Sequence, residues 1–334
     1  MQYNYVLFDC QTEYYRIARH DLESLPNVLI KEPGLSSGSK LKRFLFRLHT
    51  SGRLNKHIIL PFQRIWNSAF VGRLDFGNNK PICFIFTGGI GNLPYQSDMF
   101  KYLRKTYPDC KLVLLLRDIL TVGKRLMPGF DEVKAKQIFD KIYTINNMDA
   151  EKYGFQKIHS FCSQYPIETS ENDKKSDVVF IGVAKDRVET VRRAYKKFTA
   201  SGLTCDFLLV SPKPLEDIPK GLAVQEAGIP YSEMLRRTIN SKCIFEVTQR
   251  GTDALTSRCL EALCYNKKLI SDNFRLKETK YYDPRYMFLF TDIDEVDVEF
   301  IKENVSVDYN YDGSFSPVKG LELIEKDLLD GRTQ

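Results

Sequence analysis

Cys243–Asn273, CIFEVTQRGTDALTSRCLEALCYNKKLISDN, is the stretch on which the fold turns. Ile244–Val247 is an apolar run that predicts a short buried strand. Thr248–Asp253 is polar and carries a glycine, so it predicts a loop. A helix is predicted from Leu255–Ser257 through Arg258, Glu261 and Leu263, stopped by Asn266-Lys267-Lys268, and Lys268–Ser271 predicts the next strand. Strand, glycine loop, helix start and strand together aim backbone N–H groups and the positive helix end at a loop mouth. Such a mouth suits a phosphate or diphosphate. Arg250 lies in the loop, and Glu261 lies about two turns into the helix, a depth at which a carboxylate can accept hydrogen bonds from a ribose.

The same alternation extends outward from this segment. Upstream, strands are expected at Asp177–Gly182, Phe207–Val210 and Leu222–Glu226, with helices at Arg187–Ser201 and Tyr231–Ser241. Downstream come a strand at Met287–Phe290 and helices at Val296–Glu303 and Val318–Leu329. The first half has its own series, with strands at Tyr5–Phe8, Ile82–Phe86, Leu112–Leu116, Lys141–Thr144 and Lys157–Phe161. Its helices are expected at Ser39–Thr50, His57–Ser68, Asp98–Thr106, Asp131–Phe139 and Met148–Tyr153. Short apolar strands separated by helices imply parallel sheets covered on both faces. The charged stretch Glu168–Ser176 reads as a linker after which the pattern restarts. The fold class expected is therefore α/β, with two Rossmann-like domains, residues 1–167 and 177–316, followed by a helical tail at 317–334.

The length of 334 residues supports two separate cores, and 28% charged with 43% hydrophobic residues is an ordinary globular composition. No apolar run reaches the roughly 20 residues that span a bilayer. MQYNYVLFDC has neither a basic n-region nor a long apolar h-region, so no signal peptide is expected. The eight cysteines are scattered without a C-x-x-C pair, and no histidine stands at metal-ligand spacing. Reduced, buried thiols in a cytoplasmic protein are the expectation, with no disulfide framework and no metal site.

The two acids Asp253 and Glu261 stand eight positions apart, and Glu261 opens the run Glu261-Ala262-Leu263. This segment resembles the nucleotide-sugar site of GT-B glycosyltransferases, in particular bacterial capsule and lipopolysaccharide sugar transferases. In those enzymes two acids with that separation precede "EAL" or "EAM", and a strand ending in a polar loop follows, here Lys268–Asn273. The chain departs from that pattern in having Asp at the first acid and Gly251 before it. The resemblance implies two domains facing a cleft, the acceptor on the first and the donor on the second, with the last helix crossing back to the first domain. It implies Glu261 on the ribose of a sugar nucleotide and Asp253 near the donor sugar. It also implies a reaction without a bound metal or other cofactor, in which cations and a helix end stabilise the departing diphosphate.

On that reading Lys185 and Arg187, after the Phe180-Ile181-Gly182 strand end, and Arg250, in the Gly251 loop, meet the diphosphate. Each also reads as a surface charge or a first helix residue. Thr256 and Ser257 read equally as helix caps and as phosphate donors. Arg258 stands three residues before Glu261, so an ion pair and a phosphate contact are both open. For the acceptor side the candidates are the glycine loop with Gly88 and Gly89, the acids Asp9 and Asp118, and the pair His20-Asp21. The glycine loop also reads as a plain tight turn. Inverting and retaining chemistry stay open, since no general base sits in a specific motif.

Charge is unevenly spread: residues 1–165 carry about 24 Lys and Arg against 14 acids, and the remainder about 25 against 29. Pro33–Leu74 contains no acid but holds eight cations interleaved with Leu41, Phe44, Leu45, Phe46, Trp66 and others. Two readings compete for this segment, with nucleic-acid binding a weaker third. It is a surface for anionic headgroups or a lipid-diphosphate acceptor, placing the protein on the inner face of the plasma membrane, or a solvated helix face whose apolar side packs inward. No nucleic-acid module is present, so nucleic acid is not an expected partner. The function expected is transfer of a sugar from a nucleotide-diphosphate sugar to a growing surface glycan or lipid-linked acceptor. The alternatives are a sugar-nucleotide epimerase of the same architecture and a non-catalytic binding subunit.

Overall fold

The computed structural model describes residues 1–32, 39–49, 51, 54, 58, 63–87, 99–120 and 131–330. Gly88, Gly89 and parts of Pro33–Leu74, including residues 57 and 59–62 of the expected His57–Ser68 helix, lie outside the described residues. The chain forms two compact units. One comprises Met1–Arg16, Asp21–His159 and Pro317–Gln334, the other Ile17–His20 and Ser160–Ser316.

The first unit holds β1 (Asn4–Phe8), β2 (Val28–Lys31), β3 (Ile82–Thr87), β4 (Lys111–Leu116), β5 (Lys141–Thr144) and β6 (Gln156–Lys157). They form one parallel sheet in the order β2-β1-β3-β4-β5-β6. In-register neighbours Val6, Phe84 and Leu112 face one core, with Phe8, Phe86 and Leu114 beside them. The alternate positions Tyr5, Leu7, Cys83, Ile85, Val113 and Tyr143 are buried too, as expected of a parallel sheet covered on both sides. The Pro317–Asp330 helix belongs to this unit and buries Leu321, Ile324 and Leu328, an i, i+3, i+7 stripe. The Tyr5 hydroxyl donates to Glu325 over 2.8 Å and the Tyr143 hydroxyl to Asp327 over 2.8 Å, so polar groups between helix and sheet are satisfied.

The second unit holds β7 (Ser176–Val183), β8 (Cys205–Val210), β9 (Ala223–Gln225), β10 (Ser241–Glu246), β11 (Lys268–Ser271) and β12 (Met287–Leu289). All are parallel, in the order β12-β11-β10-β7-β8-β9. Val178, Phe180, Phe207, Leu209, Cys243 and Phe245 build one core, and Val179, Ile181, Leu208 and Ile244 build the other. Phe207 and Phe245 stack with centroids 5.8 Å apart across the first of these.

Three differences from the sequence expectation have simple causes. β2 was not expected; it is a four-residue edge strand with only Val28 buried, so its pattern is weak. The Lys157–Phe161 strand shrinks to Gln156–Lys157, because the chain leaves the sheet there and Cys162 N binds Phe315 O. The Val296–Glu303 helix is reduced to Glu299–Lys302, since Val296 is extended after a separate turn, Ile293–Glu295, capped by Asp292.

Candidate functional site

In the second sheet β8 and β9 lie on one side of β7, and β10, β11 and β12 on the other. Connections after β7 and β10 therefore run to opposite sides, and the gap between their carboxyl ends is the topological switch point, where open α/β sheets bind ligands. Lys185, Arg187, Arg250, Gly251 and Asp253 all lie on the loops that leave these two strands.

The loops are tied together. The Lys185 ammonium donates to Gln249 Oε1 over 2.7 Å, and Arg250 N donates to Asp186 Oδ2 over 3.1 Å. Lys185 has φ +39° and Gly251 φ +83°, both in the left-handed region that a tight turn demands. The Arg187 guanidinium turns inward and donates to Val183 O and to Val247 O, the latter over 3.0 Å. Burial pulls its pKa below the usual arginine value. Gly182 makes room for it, since a Cβ there would come within 3.2 Å of Arg187 Nη2 and of the Phe180 ring. Arg187 is thus a brace between β7 and β10, while Lys185 is exposed and the Arg250 side chain is 92% exposed. Those two cations are presented to solvent at the switch point.

Below the β10 loop lies a carboxylate that the sequence reading missed. Glu246, at the end of β10, is 3% exposed. It accepts from the Thr256 hydroxyl, from Cys259 Sγ over 3.0 Å and from the Ser271 hydroxyl over 2.5 Å. These neutral donors, and its place beside the N-terminus of the Ser257–Cys264 helix, are what make a buried acid tolerable. Burial and the adjacent Glu246 push the Cys259 thiol up, so it remains a neutral donor. An acid closing an apolar strand was the available signal.

The arrangement separates the two readings of the helix start. Thr256 is the N-cap, accepting from Arg258 N over 3.2 Å, and its one hydroxyl proton goes to Glu246. Of its two readings the structure shows the helix cap, with the hydroxyl proton engaged by Glu246. Ser257, the first helix residue, is half-buried, and its hydroxyl forms no hydrogen bond among the described residues.

Glu261 is fully buried. Oε1 accepts from the Tyr231 hydroxyl over 2.7 Å and Oε2 from Arg258. Burial raises its pKa, while Arg258 and Tyr231 pull it back. Arg258 also points a nitrogen at the Met234 sulfur, so of its two readings the structure takes the ion pair. As the side chains stand, both oxygens of Glu261 are engaged by Tyr231 and Arg258. Asp253 is held by Arg275, whose Nε and Nη2 reach Oδ1 and Oδ2 over 2.5 and 3.1 Å. Arg275 was another missed residue; it is 22 positions from Asp253, and nothing in the local pattern marks it. Asp272 and Asn273 were not singled out either, yet Asp272 accepts from Thr248 N over 2.7 Å and Asn273 donates to Ala254 O over 3.0 Å, which pins the loop.

On the first sheet the switch point lies between β1 and β3. Asp9, which follows β1, is fully buried against Arg117, with Arg117 Nη1 to Oδ2 at 3.0 Å and Arg117 Nη2 also bonding Thr87 Oγ1 over 3.0 Å. The Tyr15 ring lies 3.7 Å from the guanidinium. A buried, paired Asp9 is not available as a base, which removes it from the acceptor candidates. Asp118, the next residue after Arg117, is exposed, and the turn beyond it is pinned by Leu120 N donating to Asp149 over 2.7 Å. His20 clusters with the second unit and packs edge-on against Tyr165, 4.8 Å between centroids, so its assignment to the first domain is corrected. Among the described residues no group of three His, Cys, Asp or Glu is placed to hold a metal ion.

No family model matches the sequence, and no curated protein matches it either. Solved structures do match. An alpha-glucosyltransferase in complex with UDP and a 13-mer DNA containing a central A:G mismatch superposes with a TM-score of 0.54, over 89% of each chain, at 13% identity. An alpha-glucosyltransferase with UDP and a 13-mer DNA containing an HMU base gives 0.47 at 11% identity, over 80% of this chain and 79% of that one. The glycosyltransferase of kitacinnamycin gives 0.43 at 11% identity over 97% and 98%. Taken with its two parallel six-stranded α/β units, the first of these matches identifies the fold of this chain as GT-B, the two-domain architecture of that alpha-glucosyltransferase.

Proposed function

We propose that this protein is a glycosyltransferase that moves a sugar from a nucleotide-diphosphate donor to a hydroxyl acceptor, with the donor on the second unit. The observation that carries this reading is the second switch point. There two solvent-facing cations, Lys185 and Arg250, stand on facing loops beside a helix start whose Ser257 hydroxyl is uncommitted. The reading is supported by a structural neighbour that holds UDP in the same fold. The departing diphosphate carries negative charge, and fixed cations with a helix end are suited to meet it. In this reaction those groups, with no metal, stabilise the leaving group.

Roles are assigned as the contacts favour them. Lys185, Arg250, Ser257 and the backbone at Gly251 meet the phosphates, while Arg187 and Gly182 hold the two loops in register. Asp253, oriented by Arg275, faces the donor sugar. Glu261 acts through the Tyr231 hydroxyl and Arg258 as a positioning residue for the nucleoside. Asp118, on its pinned turn, serves the acceptor hydroxyl. The acceptor is a growing surface glycan, as in capsule or lipopolysaccharide synthesis, or a lipid-linked sugar, and the protein is a cytoplasmic one lying peripherally on the inner face of the plasma membrane.

Calorimetry with UDP and GDP, followed by transfer assays with a panel of sugar nucleotides, tests the reading. Lys185→Ala with Arg250→Ala is expected to weaken nucleoside-diphosphate binding at least about tenfold, given roughly 1.5–3 kcal/mol for a hydrogen bond to a charged group. Nucleotide binding unchanged in that double variant would remove the switch point from the reaction. A second reading, a nucleic-acid acceptor, is favoured by the DNA held by the alpha-glucosyltransferase neighbour and by the basic first half. Adding duplex DNA to the same transfer assay separates the two.

A further inference from the structure

The Lys40–His49 helix carries an apolar stripe, Leu41, Phe44, Leu45 and Leu48, at i, i+3, i+4 and i+7. On an ordinary surface helix such a stripe faces the core. Here Leu41, Phe44 and Leu45 face out, 66%, 60% and 38% exposed, and Leu48 is half-buried. The helix is held by Phe46, which packs edge-on against Trp66 at 5.5 Å, and by His49, whose Nδ1 accepts from Trp66 Nε1 over 2.6 Å. Lys40, Lys42, Arg43 and Arg47 flank the stripe and are all exposed. No acid occurs anywhere in the surrounding residues 33–74.

We propose that this face docks the protein on an anionic lipid surface, with Leu41, Phe44 and Leu45 entering the interface and the flanking cations meeting lipid phosphates. Charge and shape together select the occupant. A second copy of the chain would set this acid-free cationic face against itself. A nucleic-acid backbone would take the cations but leave the aliphatic and aromatic side chains in water. A bilayer with anionic headgroups takes both, and each cation near such a surface contributes roughly fivefold to partitioning. The inference specifies the peripheral location proposed above and is independent of the sugar chemistry.

The test is co-sedimentation of the full chain with phosphatidylserine–phosphatidylcholine vesicles, with pure phosphatidylcholine vesicles and duplex DNA as separate arms. Binding is expected to the anionic vesicles only and to fall as salt rises through about 0.5 M. Leu41→Ser with Phe44→Ser is expected to reduce vesicle partitioning at least about tenfold, and Arg43→Glu with Arg47→Glu by a comparable factor. The emission of the single tryptophan, Trp66, reports whether the helix remains packed. Wild type that stays in the supernatant overturns the proposal. So does binding that ignores the Leu41/Phe44 change, or binding to DNA in place of vesicles. Calorimetry with UDP on the same variants keeps the two questions apart: docking variants that lose vesicles but keep nucleotide place any failure on this face alone.

Discussion

The carboxyl edges of the two sheets each bury one acid at the switch point, and they satisfy it in opposite ways. Asp9 is neutralised by charge, locked to Arg117 from two strands away, with Thr87 and Tyr15 closing the pair. Glu246 forms no salt bridge among the described residues and is held by a hydroxyl from the cap, a thiol from the helix and a hydroxyl from β11. The charges at the two edges differ accordingly. On the first sheet Arg117 is consumed inside the fold, and among the described residues the acid that follows it, Asp118, is exposed. On the second sheet neutral donors hold the buried acid, and two cations, Lys185 and Arg250, are exposed with Asp186 beside them.

Breaking the ionic version should cost most. Arg117→Met leaves Asp9 buried without its partner, and a loss of about 3–5 kcal/mol from the first unit is expected in chemical denaturation. Asp9→Asn combined with Arg117→Met should recover part of that loss, because no uncompensated charge then remains. A double variant no more stable than Arg117→Met would show that the pair is not the source of the cost.

Glu246→Gln sharpens the other side. The amide turns one acceptor into a donor facing donors, so a loss of about 1–3 kcal/mol is expected from the second unit. Nucleotide affinity should fall with it, because Thr256 and the helix start lose their anchor. Unchanged stability and unchanged UDP affinity would mean that the three donors re-pair elsewhere.

The smallest effect is a pH dependence. Burial raises Glu261 above the ordinary carboxylate value. The folded state therefore binds this proton more tightly than the unfolded chain does. Its contribution to stability is full below the unfolded pKa and is lost as pH rises through the folded one. Unfolding measured against pH should show Glu261→Gln gaining on wild type across the window above the ordinary carboxylate range. A constant difference between the two would mean that Arg258 and Tyr231 cancel the burial cost.

Much of this molecule is legible in the chain as written. Cys243–Asn273 alone marks a strand, a glycine turn, a helix start and a strand, and each lies where the pattern puts it. Lys185, Arg187 and Arg250 could be set at strand ends because parallel strands return every connection to the same edge. What periodicity does not carry is the direction a polar side chain takes once the strands assemble. Arg187 and Arg250 look alike in sequence, yet one turns back onto two carbonyls and the other points to water. The stripe at Leu41–Leu48 is the same case reversed, an amphipathic pattern in which Leu41, Phe44 and Leu45 are exposed.

The sequence by itself determined the α/β class, the two-unit restart and the loops that bear charge, because hydrophobic period and turn chemistry are local. Only the tertiary structure decided which acids are closed off. Asp9 meets Arg117 across 108 residues and Glu246 meets Ser271 across 25, and a buried carboxylate accepts whatever donors the strand order brings to it. Strand order is set by how whole sheets cover their apolar faces, and no short stretch of sequence contains it.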